Sequence, residues 1–124
     1  MSRQNIETGA NGELIAEKYL KDNGYKIVER NFRSKGGEVD LIAKDKEGTY
    51  VFVEVKTRSN LLYGVPQLAV TQRKQRQISK GALAWMLSRK QHDSSARFDV
   101  IAILLQDNQM FSLEHIKNAF ELAY

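Results

Sequence analysis

Four ionisable residues stand in a stretch whose apolar pattern marks it for burial. They are Glu38, Asp40, Glu54 and Lys56, within GGEVDLIAKDKEGTYVFVEVKTRSN at 36–60. Successive side chains of a strand point to opposite faces. Glu38, Asp40 and Ile42 therefore share a face of one predicted strand, and Tyr50, Phe52, Glu54 and Lys56 share a face of the next. The opposite faces, Val39-Leu41-Ala43 and Val51-Val53-Val55, are wholly apolar. A symmetric hairpin centred on Glu47 sets Asp40 opposite Glu54, with Cβ atoms about 5 Å apart. Two carboxylates so close repel each other unless a positive charge lies between them. A hard divalent cation answers that need, since Mg²⁺ binds through one or two carboxylates together with water and phosphate oxygens. Lys56 beside them could orient or deprotonate a water, or stabilise a phosphorane-like transition state. The same residues also suit solvated charges at a strand end, so spacing alone leaves both readings open.

A third acid precedes this pair. Glu13 lies close to Leu20 on a helical wheel, at the flank of the apolar stripe Leu14, Ile15, Ala16, Tyr19, Leu20, and so tends to face the sheet. Glu17 falls further toward solvent. An inward Glu13 completes a three-carboxylate shell for a metal; capping or solvating an edge is its other role.

The elements that must position these groups follow from periodicity and turn signals. A helix is predicted over 5–23, closed by Gly24. A first strand follows over 25–32, and Lys35-Gly36-Gly37 marks a turn. The acidic hairpin has strands at 38–43 and at 49 or 50 to 57. A second helix runs from 67 or 71 to 90, with Val70, Ile78, Ala82, Trp85 and Met86 as its apolar members. RFDVIAILL at 97–105 is an apolar strand, a short segment occupies 110–113, and a terminal helix is predicted over 114–123. This order implies an α/β domain, a mixed central sheet flanked by helices.

Composition sets the outer bounds. At 124 residues one domain, 1–124, is expected, with enough core to stand without staples. The absence of cysteine excludes disulfides and thiolate metal sites and fits a reducing cytoplasm. No apolar run approaches the ~20 residues that span a bilayer, and 1–13 holds no apolar signal segment. The net charge of +4 leans mildly toward polyanions.

Asp40, a gap of 13 residues and then Glu54-Val55-Lys56 resembles the D…(D/E)-x-K core of the restriction-endonuclease-like, or PD-(D/E)xK, nuclease superfamily. GEVDLI followed by VFVEVKTR is similar to the sequence of archaeal Holliday-junction resolvases. More of the chain, from about 9 to 103, resembles the YraN-like family of small bacterial proteins, through NGELIAEKYLKDNGYKIVERNFRSKGGEVDLIAKD, VFVEVKTRS, YGVPQLAVTQRKQRQI and RFDVIAI. The resemblance implies an αβββαβ core and Mg²⁺- or Mn²⁺-dependent phosphodiester cleavage in a structured, branched DNA or RNA. Carried over by position, Asp40 and Glu54 would hold the metal, Lys56 would sit at the attacking water, Glu13 would match the helix-one acid, and Gln67 a further polar site residue. Val39 departs from the family pattern, where Pro often precedes the Asp. Because resolvases act as two-fold dimers, the resemblance also implies a homodimer.

A nucleic-acid partner has separate support from the basic residues. Arg73, Arg76 and Lys80 share a face of the second helix, with Lys74 beside them. Arg33 lies near the turn into the acid strand, and Arg58 lies just after Lys56. Such groups contact phosphates without reading sequence, although a charge run is also the ordinary solvated face of a helix. His92 and His115 stand without evident partners and receive no role. Three functions remain open: a metal-dependent endonuclease, a nucleic-acid-binding module without efficient catalysis, and an interaction subunit of a repair or uptake complex.

Overall fold

The computed structural model describes residues 2–58, 70–105 and 110–123, the first ten of them by backbone only. Among these residues the order is α1 (Ser2–Asp22), β1 (Lys26–Ser34), β2 (Gly37–Lys44), β3 (Tyr50–Arg58), α2 (Gln72–Ser88), β4 (Ala96–Leu105) and β5 (Phe111–Phe120). The strands form one sheet in the order β1-β2-β3-β4-β5. All neighbours are antiparallel except β3 and β4, which are parallel. A parallel pair needs a long crossover, and α2 lies within it. The expected mixed sheet flanked by helices is what the chain forms. No helix of the described residues is long and apolar enough to cross a membrane.

The two faces carry separate cores. Ala16 and Leu20 of α1 pack on Leu41, Ala43, Val51, Val53, Ile101 and Ile103. Ile78, Ala82, Trp85 and Met86 of α2 pack on Val39, Ile42, Tyr50, Phe52, Phe98 and Val100. A sheet covered on both sides explains why its central strands read as nearly continuous apolar runs. Leu14 is 62% exposed and lies outside the stripe it was expected to join. α1 ends where Tyr25 N–H bonds to Leu20 O around Gly24, whose φ of +87° suits glycine. α2 starts at Thr71, whose hydroxyl accepts from Lys74 N–H.

The terminal helix predicted over 114–123 is not formed; those residues belong mostly to β5, an edge strand antiparallel to β4. The error has a physical source. Leu113, Ile116 and Phe120 recur at helical spacing, but the strand carries a register shift, and Asn118 adopts φ +52°. Leu113 thus packs with the α1-side core, while Ile116 and Phe120 pack with the α2-side core. In a strand, residues three apart face opposite sides and residues four apart the same side, so this spacing also fits a strand that serves both cores.

Two glycine contacts fix the helices to the sheet near the acidic residues. A Cβ on Gly37 would lie 2.4 Å from Gly81 N, and one on Gly81 would lie 2.9 Å from Glu38 N, so α2 meets the start of β2 backbone to backbone. A Cβ on Gly12 would lie 2.1 Å from Thr57 Oγ1, bringing α1 equally close to the end of β3.

Candidate functional site

The β2–β3 register is the one expected: Ile42 pairs with Phe52, and the ladder runs from Lys44↔Tyr50 to Leu41↔Val53. It then stops, one residue short of Asp40 and Glu54. The Asp40 carboxylate instead accepts from Val55 N–H at 2.9 Å, so a side chain replaces a backbone carbonyl where the strands part. Strict alternation also fails here. Val39 and Ile42, three residues apart, both pack beneath α2, whereas Leu41 and Ala43 pack beneath α1. Asp40 sits at this change of face.

Glu54 is only 3% exposed. Its Oε2 lies 3.4 Å from Lys56 Nζ and 3.7 Å from Lys74 Nζ, while its Oε1 is buried without a hydrogen-bond partner. Burial, and then the negative charge of nearby Asp40, push the Glu54 carboxyl up to about 8 against the pull of the two ammonium groups. Glu13 reaches the same region from α1. Burial and the charge of Asp40 raise its carboxyl above the ordinary value, opposed by a hydrogen bond with Asn31 and by the charge of Arg33. Among the described residues no three His, Asp or Glu side chains close into a ready metal cage. Asp40 lies close enough for its charge to act on both Glu54 and Glu13, which approach it from β3 and α1.

Lys74, which the sequence placed only beside the basic face of α2, instead reaches the acids. Its ammonium is hydrogen-bonded to Glu38 Oε1 as well as facing Glu54. Burial opposes its charge, but that hydrogen bond and the charges of Glu54, Glu38 and Asp40 outweigh it and hold Lys74 above its usual pKa. Glu38 in turn accepts from Arg33 Nη1 at 3.2 Å. The signal was present: Lys74 precedes Ile78 by four residues and Ala82 by eight, and both are buried, so it continues the inward stripe of α2. Arg73, Arg76 and Lys80 are exposed, as expected of a basic face, and Lys80 lies over Gly36 in the β1–β2 turn. Arg58 is half-buried at the end of β3. Gln67 lies outside the described residues.

His115 does have partners. Its Nε2 lies 2.7 Å from Asp99 Oδ2 and its Nδ1 3.0 Å from Tyr19 OH. Asp99 also accepts from Arg97 Nε at 3.0 Å and from Asn118 N–H at 2.9 Å, and Arg97 extends the network to Asp45 and to Tyr25 OH. With 114–123 taken for a helix, nothing aligned His115 with β4; as a strand residue it pairs with Ile101.

The profile of the Uncharacterised protein family UPF0102 matches residues 12–103, which include Glu13, Asp40, Glu54, Lys56 and Lys74. The chain belongs to this family. A UPF0102 protein of Trichlorobacter lovleyi is 60% identical over 124 residues, covering all of this chain and 98% of its own. That of Geobacter metallireducens is 57% identical over the full length of both. That of Rhodococcus opacus is 47% identical over 116 residues, 94% of this chain and 98% of its own. Among solved structures, Pyrococcus furiosus SfsA in complex with Ca²⁺ aligns with 92% of this chain and 63% of its own, at 14% identity and a TM-score of 0.36, too low to carry an argument about either fold or function.

Proposed function

We propose that this UPF0102 protein is a metal-dependent endonuclease acting on structured, branched DNA, with its centre at Asp40, Glu54 and Lys56 and with Glu13 alongside. The observation that carries this reading is Glu54, a buried acid with one oxygen left unsatisfied, set against a second carboxylate where a strand ladder parts. Buried polar atoms are almost always paired, so an orphan beside a like charge marks a place built for something else. The donor set fits a hard divalent cation such as Mg²⁺ or Mn²⁺, with Asp40 and Glu54 as its protein ligands and water completing the shell. When bound, such an ion supplies Lewis-acid stabilisation of phosphate charge and a more acidic water.

The chain's own groups do the rest. Val55 N–H fixes the Asp40 carboxylate. Lys56, held 3.4 Å from Glu54, sets its ammonium group beside the acids, where it orients a water or meets charge developing on phosphate. The exposed cations Arg73, Arg76 and Lys80, with Arg33 and Arg58 nearer the acids, supply sequence-independent phosphate contacts. The test uses labelled four-way junction, flap and single-stranded DNA with Mg²⁺ or Mn²⁺. Cleavage is expected of the unaltered protein and not of Asp40→Asn, and undiminished cleavage by Asp40→Asn removes this site from consideration.

A second reading has its own support. Two ammonium groups already face Glu54 Oε2, and the three acids do not close into a cage. Such a site suits a nucleic-acid-binding module without turnover. Calorimetric titration with Mn²⁺ separates the two: heat of binding that disappears in Glu54→Gln belongs to the nuclease, and its absence in the unaltered protein belongs to the binding module.

A further inference from the structure

Lys74 stands apart from the Asp…Glu-x-Lys pattern. It comes from a different element, and its placement is enforced from a distance. α2 touches β2 where Gly81 meets Gly37 and the Glu38 backbone. Lys74 lies seven residues before Gly81, two helical turns or roughly 10 Å along the axis. It therefore projects from the inward stripe of α2 over the open end of the β2–β3 ladder, where Asp40 and Glu54 lie. Its side chain is 22% exposed, half-covered but open to solvent at the rim.

The contacts of its ammonium set what it can do. Glu38 Oε1 takes one hydrogen bond, and Glu54 Oε2 lies at 3.7 Å, an ion-pair rather than a hydrogen-bond distance. An ammonium has three N–H donors, so these two carboxylates leave at least one for an incoming oxyanion. Glu38 holds Lys74 from the side and shares its other oxygen with the largely exposed Arg33. Acidic and basic side chains thus alternate outward from the buried acid: Glu54, Lys74, Glu38, Arg33. The two cations are held in place by the carboxylate between them.

We infer that Lys74, aimed by Glu38, is the phosphate-binding residue of this site and positions the backbone phosphate of a DNA strand against Asp40 and Glu54. The inference rests on the reading of the site as a nucleic-acid site, but not on whether it cuts. Glu38 is a positioning residue, and Arg33 at the outer end of the chain receives the neighbouring phosphate.

The experiment reads binding, not cleavage. Anisotropy of a fluorescein-labelled four-way junction is measured with the full-length protein in EDTA, between about 50 and 300 mM KCl. One lost phosphate contact lowers the slope of log affinity against log salt by about one and weakens binding roughly fivefold to tenfold. That result is expected for Lys74→Gln, with the slope restored in Lys74→Arg. Arg89→Gln, at the far end of α2 where Arg89 pairs with Glu29, is expected to keep the original slope. Should Lys74→Gln fail to fold, the charge-balanced double variant Lys74→Gln/Glu38→Gln is expected to show the same reduced slope. Binding with an unchanged slope in whichever variant folds, or an equal drop in Arg89→Gln, overturns the assignment alone. No salt-sensitive binding by the unaltered protein overturns it together with the nuclease reading. A reduced slope without cleavage under any metal keeps Lys74 as a phosphate ligand and removes the nuclease.

Discussion

Two buried carboxylates sit one residue apart in register across the central strands and have opposite fates. Asp99 pairs with Val53, and the next pair is Glu54 with Val100. Asp99 is fully buried and accepts hydrogen bonds from Arg97, His115 and the Asn118 N–H. Burial alone would raise its carboxyl, but those bonds and the charge of Arg97 hold it below the usual value. Glu54 is nearly as buried, yet one of its oxygens has no partner and its carboxyl is pushed up to about 8. Both acids are buried, Asp99 on the face covered by α1 and Glu54 on the face covered by α2. A complete set of donors satisfies one within the fold, and an incomplete set beside a like charge leaves the other with an unpartnered oxygen and a raised carboxyl.

The sharpest way to break the comparison is to remove the satisfied acid. Asp99→Asn leaves Arg97 and His115 facing a neutral amide, and breaking a buried pair by removing one partner costs about 3–5 kcal/mol. Chemical denaturation at pH 7 checks this. The pH dependence carries a definite sign. A carboxyl depressed in the folded state contributes stability that is present above its unfolded pKa and is lost as pH falls through the lower folded value. The unaltered protein should therefore lose stability in strong acid, and Asp99→Asn should lose less of what remains.

Glu54 predicts the reverse. A group raised in the folded state contributes stability that is present below its unfolded pKa and is lost as pH rises through its folded value. In metal-free buffer, stability should decline between the ordinary glutamate value of 4.5 and about 8. Glu54→Gln should flatten that decline and raise stability at pH 8, by on the order of 2 kcal/mol. A variant that loses function and gains stability would mark the position as strained for a purpose. Equal or lower stability at pH 8 would mean that Lys56 and Lys74 already compensate the charge.

The two acids also differed in how legible they were in the sequence. Asp40, Glu54 and Lys56 could be brought near one another because a short polar loop fixes the register of a hairpin, and Ile42↔Phe52 pairs as that geometry requires, although the alternation breaks at Asp40 itself. Lys74 needed the depth of α2 over β2, which the Gly37–Gly81 contact sets and which no local pattern displays. The Asp99 network could not be read at all. It joins Tyr19 of α1, Arg97 and Asp99 of β4 and His115 of β5 across up to 96 residues, and its last member lay in a strand whose irregularity imitated a helix. Short-range periodicity carries the elements, whereas the partners of a buried charge are long-range facts.

The smallest expected effect concerns the two helix anchors that frame the site. Gly81→Ala places a methyl against Glu38 N and C and the Val39 side chain, and backbone cannot rotate away. Overpacking of this kind costs about 1–3 kcal/mol, partly offset by the roughly 1 kcal/mol that alanine gains over glycine inside a helix. Gly12→Ala meets only the Thr57 side chain, whose hydroxyl can turn to another rotamer. Gly81→Ala should therefore destabilise by about 1 kcal/mol more than Gly12→Ala in paired denaturation curves. It should also lift Lys74 away from Glu54 and reproduce part of the loss of salt slope expected of Lys74→Gln. Two curves that coincide would show that α2 shifts over β2 at little cost, in which case the position of Lys74 is set by its carboxylate partners rather than by the glycine contact.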